Sequence, residues 1–214
     1  MTKGGAALAK LFSTVLQPLL MPLYSVALLF VYTNFYHVYS GQILRFLLPV
    51  FTFTFLFPVM FIFFLWRLGY IKDFGLTEKN ERFFPYIVFI VANLSLTYFF
   101  FSAGLYIWFL ALVLAPAIIA LVGLIINFFC KISAHMMGIG GLIGGVLSVC
   151  FNVKGVNPVL LIIILFVLAG CLGVSRLYLR RSKPVEIYLG FFVGFILAFA
   201  IIFMAVFSFV ISYK

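Results

Sequence analysis

Acidic side chains are nearly absent from this sequence: 214 residues hold four Asp and Glu against fourteen Lys and Arg. That scarcity leaves no carboxylate cage for a divalent cation, which takes several oxygen ligands, so neither a metal nor a cofactor is expected. Charged residues make up 8% of the chain and hydrophobic ones 67%. A water-soluble domain of this size is thereby excluded, because its surface could not be made polar. Cysteine is scarce too. Cys130, Cys150 and Cys171 are odd in number, widely spaced, and set in or beside apolar runs, and they read as small buried hydrophobes rather than as a disulfide framework or a metal site. Linkers and low-complexity tracts are missing. Met1–Lys10 leads into a full-length apolar run with no A-x-A-like site, which argues against a cleavable signal peptide. The chain reads as one membrane domain, 1–214.

What is present in quantity is uninterrupted apolar sequence. Runs without a Lys, Arg, Asp or Glu cover 11–44, 46–66, 83–130, 132–153, 155–175 and 187–213. A helix needs about 20 apolar residues to cross a ~30 Å hydrocarbon core, so five of these runs hold one crossing each and 83–130 holds two, divided at "FFFSAGLY" by Ser102, Ala103 and Gly104. The spacing predicts an all-α, polytopic bundle of about seven helices near 16–38, 45–66, 84–101, 105–128, 134–151, 157–177 and 184–211. Pro18 and Pro22 suit the start of the first helix better than its middle. A transmembrane barrel would alternate polar and apolar residues over ~10-residue segments, and these runs do not alternate.

Seven crossings place Met1–Val15, the 67–83 loop, the 129–133 loop and the 175–184 turn on one side of the membrane. Eleven of the fourteen Lys and Arg lie there, against Arg45, Lys154 and Lys214 opposite. The positive-inside rule assigns that side to the cytoplasm and the chain to a bacterial inner membrane. The net charge of +10 follows from basic residues flanking spans, and there is no aromatic-interleaved soluble patch on which bases would stack, so nucleic acid is not an expected partner.

Three polar groups sit at helix starts on that one side: Lys79 and Arg82 in "TEKNERFFP", Lys131, Ser133 and His135 in "KISAHMMG", and Ser175, Arg176, Arg180, Arg181, Ser182, Lys183 and Glu186 in "GVSRLYLRRSKPVEIYLG". Two crossings separate each group from the next, so all three emerge at one surface and can converge. Arginine presents a planar fork matched to phosphate oxygens, lysine a point charge, and serine with free helix-start amides completes an anion cradle.

At these residues the chain resembles the type-2 phosphatidic acid phosphatase and haloperoxidase superfamily of integral-membrane lipid phosphatases, whose signature is KxxxxxxRP, PSGH and SRxxxxxHxxxD. "SRLYLRRSKPVE" keeps Ser175 and Arg176, then has Ser182 where the family has histidine and Glu186 where it has aspartate. "ISAH" keeps Ser133 and His135, with Ile132 for proline and Ala134 for glycine. "KNERFFP" offers Lys79, Arg82 and Pro85 at compressed spacing, so the family-like core covers residues ~79–190.

The resemblance implies that Lys79, Arg82 and Arg176 grip phosphate oxygens beside Ser175, that Ser133 hydrogen-bonds one, and that His135 protonates the leaving alcohol. The family's nucleophilic histidine is replaced by Ser182, which also reads as a helix N-cap ahead of Pro184. A serine nucleophile would need a base, and Glu186 or His135 could serve. Arg180, Arg181 and Lys183 either extend the cradle toward a second phosphate or snorkel to headgroups. Glu78 and Glu81 make local ion pairs, and His37 in "YTNFYHVY" belongs to an aromatic belt. Glycines four apart, Gly140 with Gly144, Gly141 with Gly145 and Gly190 with Gly194, give small-xxx-small packing faces.

The expected function is binding of a phosphorylated lipid headgroup (phosphatidate, polyprenyl diphosphate or lipid A type) by a catalytically impaired phosphatase homologue. The alternatives are an active metal-independent phosphatase using Ser182 or His135, and a membrane scaffold or accessory subunit. A homo-oligomer or a protein partner fits any of the three. No ionisable residue at mid-helix supports a transporter.

The topology predicts that cysteines introduced at Asn80 and Lys183 react with an impermeant thiol reagent from one side of the membrane, and a cysteine at Asn152 from the other. Reaction of the first two from different sides would rule out a shared surface for the clusters.

Overall fold

The computed structural model of the chain describes residues 3–33, 35–39, 41–70, 83–152 and 157–212. In chain order the helices are α1 (Lys3–Val15), a 3₁₀ turn (Pro18–Leu20), α2 (Met21–Tyr32), α3 (Phe35–Val38), α4 (Ile43–Phe51), a π turn (Thr52–Leu56), α5 (Phe57–Arg67), α6 (Phe83–Ser102), α7 (Ile107–Phe129), α8 (Ala134–Asn152), α9 (Val159–Tyr178) and α10 (Pro184–Ser212). No strand occurs among the described residues. Among the described residues six segments are long and apolar enough to cross a membrane: Gly4–Tyr32, Ile43–Arg67, Phe83–Ser102, Ile107–Phe129, Val159–Tyr178 and Pro184–Ser208. Ala134–Cys150 is a shorter apolar helix between them. The protein is an all-α, polytopic membrane bundle.

The last five helices begin and end within two residues of the sequence expectation. The first half departs from it in three places, each with a local cause. Residues before Val15 form a helix instead of a polar surface segment, because "KGGAALAKLFSTV" buries Ala9 and packs Phe12 and the following Leu16 against the α8–α9 core. The helix expected over 16–38 is broken at Thr33. Its hydroxyl shares the Leu29 carbonyl (2.7 Å) with its own amide and accepts from the Phe35 amide (3.2 Å), so the side chain replaces the backbone acceptor that a continuing helix would offer Phe35. In the second span Pro58 has no N–H to offer the Thr54 carbonyl. The register slips, and the Phe57 amide reaches back to Thr52 across a π turn.

Helices α5 and α6 end alike. Gly69 (φ +79°) and Gly104 (φ +73°) adopt the left-handed conformation that stops a helix. Their amides bond Trp66 and Phe101, while the next residues, Tyr70 and Leu105, bond Leu65 and Phe100. The Ser102–Gly104 turn is thus where the sequence puts it.

At the end of the bundle holding the α6–α7 turn, rings from α2, α3, α4, α6 and α7 interlock. Phe35 stacks on Phe109 (centroids 5.3 Å, 7°), and Phe46 meets Phe109 edge-on at 5.6 Å. His37 lies near this end with its ring edge-on to Tyr36 (5.8 Å).

Toward the other end, α8 and α10 cross with their backbones in contact. A Cβ placed on Gly140 would strike the Phe191 carbonyl, one on Gly144 the Phe195 carbonyl, and one on Gly194 the Met137 carbonyl. Gly190 sits against the Ser133 carbonyl in the same seam. The small-residue faces of the two helices are therefore partners of each other. The three cysteines are free, Cys130 is exposed, and Cys150 and Cys171 are half-buried; they are less enclosed than the apolar runs suggested, because α7 ends at Phe129.

Gly144→Ala should therefore lower the melting temperature of the detergent-solubilised protein, since overpacking against a backbone carbonyl costs on the order of 1–3 kcal/mol or more. Gly170→Ala, where an added methyl meets nothing within 4 Å, should be neutral or stabilising by up to ~1 kcal/mol from helix propensity. Equal melting temperatures for the two variants would count against the seam.

Candidate functional site

The α8–α10 seam sets the floor and one wall of a cavity of about 480 Å³. At its outer end it is lined by Lys10, Ser13 and Gln17 from α1 and its exit, Ser133 and His135 from the start of α8, Arg176 from the end of α9, and Arg181 and Ser182 from the α9–α10 turn. Deeper, the lining turns apolar: Leu112, Pro116 and Ile119 on α7, Gly141 and Leu142 on α8, and Ala198 and Ile202 on α10. Gly190 on α10 touches Ser133, and Ile202 lies twelve residues further along the same helix, so at 1.5 Å per residue the cavity reaches about 18 Å inward. A polar mouth thus opens onto an apolar shaft more than half as long as a ~30 Å hydrocarbon core.

The sequence-expected residues divide into three sets. Ser133, His135, Arg176 and Ser182 come together at the mouth. Glu186 and Ser175 do not line it. Glu186 lies with Lys131, Arg180 and Lys183 in a neighbouring depression that shares Arg181 and Ser182 with the cavity, and its backbone carbonyl accepts the Ser133 amide (3.2 Å). Ser175 is buried with its hydroxyl donating to the Cys171 carbonyl one turn back (2.7 Å), a common fate for serine within an apolar helix. Lys79 and Arg82, with Glu78 and Glu81, fall outside the described residues.

Local geometry explains how the mouth is assembled. The Met137 amide bonds the Ser133 carbonyl (3.0 Å), which makes Ser133 the N-cap of α8. Its side chain is 3% exposed, and its hydroxyl has no protein partner, so it does not close back onto the amides of its own helix. At the start of α10 the Ile187 amide bonds the Lys183 carbonyl (3.2 Å). Lys183 is therefore the N-cap, and the reading of Ser182 as the cap gives way because Pro184 opens the helix one residue later than that reading requires. Ser182 is left in the wall of the cavity. His135 donates through Nε2 to the Ser13 carbonyl (3.1 Å), which fixes the ring against α1 and places a proton on Nε2.

The end of α9 repeats the α5 and α6 stop with one change. Arg180 takes the left-handed position (φ +53°) that glycine holds in the other two. Its amide bonds Leu177 (2.9 Å) and the Arg181 amide bonds Arg176 (3.1 Å). The turn folds Arg181 back over Arg176, and both side chains line the mouth. Lys131 reinforces the turn by donating from Nζ to the Arg181 carbonyl (3.1 Å). With Lys10, three cationic residues and no acidic one face the cavity among the described residues.

The contributions of Lys10, Ser13 and Gln17 escaped the sequence reading. The available signal was the amphipathic pattern of "GGAALAKLFST", which puts Lys10 and Ser13 three apart and hence on one helix face. No protein-family model, curated protein or solved structure matches the chain.

A non-glycine residue in the left-handed region costs on the order of 1 kcal/mol. Arg180→Gly should accordingly leave the folded protein as stable or stabilise it by up to ~1 kcal/mol, read as an unchanged or higher melting temperature. A lower one would mean that the Arg180 side chain contributes more than its backbone strain removes.

Proposed function

We propose that the protein binds a phosphorylated lipid, its phosphate at the basic mouth and its chain in the apolar shaft, and that it is a catalytically impaired homologue of the lipid phosphate phosphatases it resembles. The observation that carries this reading is the cavity itself, in which Ser133, His135, Arg176 and Arg181 stand above an apolar bore. Binding pockets of roughly 300–1,000 Å³ with a few convergent polar groups are the usual form of a small-ligand site. Phosphatidate, a polyprenyl phosphate or diphosphate, and a lipid A-type phosphate share that chemistry. Alternating crossings of the apolar runs would bring eleven Lys and Arg to one side, which supports a mouth at the cytoplasmic face of a bacterial inner membrane.

Impaired catalysis rests on Ser182. The family pattern has an imidazole there, and removing a catalytic nucleophile costs on the order of 10⁶ in turnover while binding and electrostatic contributions persist. One observation favours a second reading, an active metal-independent phosphatase: Ser182 and His135 line the same cavity. In that case the Ser182 oxygen would attack phosphorus, its proton passing by way of His135 to the departing lipid alcohol, and water would then hydrolyse the phosphoserine to release phosphate.

Arg176→Ala should weaken binding of a lipid phosphate by roughly 2 kcal/mol, about thirtyfold, through loss of a charge-assisted contact. Lys183→Ala, outside the cavity, should change it little. Equal losses would indicate diffuse surface charge in place of a site. The parent protein should release little phosphate from phosphatidate or polyprenyl diphosphate; robust release abolished by Ser182→Ala would establish the second reading.

A further inference from the structure

We propose that α1 is a wall of the ligand site, with Lys10 and Ser13 joining the start of α8 in a clamp on a phosphate monoester. The inference rests on the lipid-phosphate reading above and extends it to a helix that lies outside every motif of the resemblance. Two hydroxyls carry it. Ser13 Oγ and Ser133 Oγ both sit at buried positions in the cavity lining, one from α1 and one from the start of α8, and neither has a protein partner. A buried hydroxyl is normally hydrogen-bonded. Two left open around one void mark a place for a ligand that accepts hydrogen bonds.

Ser133 makes the case specific. As the N-cap of a 19-residue helix, its hydroxyl would ordinarily turn back to an amide two or three residues on. It does not. The hydroxyl that would have capped the positive end of α8 is left to whatever occupies the mouth, an arrangement suited to an anion.

The α1 wall is held in place. The Ser13 carbonyl accepts from His135 Nε2 (3.1 Å), and the Val15 carbonyl accepts from the Tyr24 hydroxyl (2.8 Å), so α8 and α2 each pin the last turn of α1. Ser13 is among the residues that line the cavity. Lys10, one turn earlier on the same face and also in the lining, adds a positive charge. Donors from two sides with no carboxylate among the described lining residues suit a group with several acceptor oxygens and negative charge. A phosphate monoester on a single apolar chain satisfies both the mouth and the shaft.

The test is calorimetric titration of the purified full-length chain in detergent micelles with farnesyl phosphate, farnesol and inorganic phosphate. Ser13→Ala and Lys10→Ala should each weaken farnesyl phosphate binding roughly tenfold and leave farnesol binding unchanged, while Ser13→Thr keeps the hydroxyl and should bind like the parent. Ser13→Ala removes a hydroxyl without a partner, so its melting temperature should match the parent's and separate lost binding from lost folding. If both alanine variants bind farnesyl phosphate normally while Arg176→Ala does not, α1 lies outside the site and the lipid-phosphate reading stands. A parent that does not distinguish farnesyl phosphate from farnesol overturns both. Inorganic phosphate bound as tightly as farnesyl phosphate, and lost in Ser13→Ala, would support the clamp and remove the lipid from the reading.

Discussion

Backbone contact between α8 and α10 is the constraint from which the site follows. With lipid tails as apolar as leucine, helices in a membrane gain little from hydrophobic exclusion and associate through close packing, for which small residues let the backbones approach. Gly140, Gly144, Gly190 and Gly194 permit an approach that any side chain would block. That crossing ties the first residue of one helix to the first turn of the other. The Ser133 amide on the Glu186 carbonyl is its outermost bond, and His135 and Ser182 are carried to the same wall as a consequence. The cavity lies beside that seam, lined by residues of α7, α8 and α10 and by the α1–α2 segment.

A polar mouth inside a membrane bundle is costly unless its groups are used. Arginine near a membrane surface can reach water or headgroups, but Ser13 and Ser133 cannot, and a buried hydroxyl without a partner costs about 1–3 kcal/mol. The left-handed turn at Arg180 adds backbone strain where two other helix ends of the same form use glycine. Thr54 Oγ1, away from the cavity, is left open as well, whereas Ser13 and Ser133 both belong to the cavity lining. Strain and open hydrogen-bonding capacity of that kind concentrate at ligand sites, where something outside the free protein satisfies them.

How much of this was legible depends on which force set each element. Helices α6 to α10 were readable to within two residues because charge, proline and the Ser102–Gly104 turn bound their apolar runs, and the cost of unpaired backbone in lipid leaves a helix as their only solution. The break at Thr33 and the slip at Pro58 were not readable from hydropathy, since both come from single hydrogen bonds made or missing inside an unbroken apolar run. Within the site, Ser133, His135, Arg176 and Ser182 could be picked out because they stand at helix starts and ends, where polar residues are conspicuous. Ser175 looked equally conspicuous and turned back onto its own helix. Lys10 and Ser13 were hidden in a segment whose two glycines and few charges resembled a surface tail until packing against α9 gave it a face.

On the lipid-phosphatase reading, a hydroxyl at Ser182 in place of an imidazole bears on how such a cavity could work. Histidine is nucleophilic when neutral, whereas serine must lose its proton to a base as it attacks. In the described mouth the nearest base by sequence logic, Glu186, faces the neighbouring depression, and the Nε2 proton of His135 is committed to the Ser13 carbonyl. Activating Ser182 would thus require His135 to accept through Nδ1 while remaining tied to α1. Binding asks for none of this. Arg176, Arg181 and Lys10 supply charge, and Ser13 and Ser133 supply donors, without any proton changing place. On the lipid-phosphate reading, those five residues suit a ligand that is held and not cleaved, and His135 would have to be rearranged before the mouth served one that reacts.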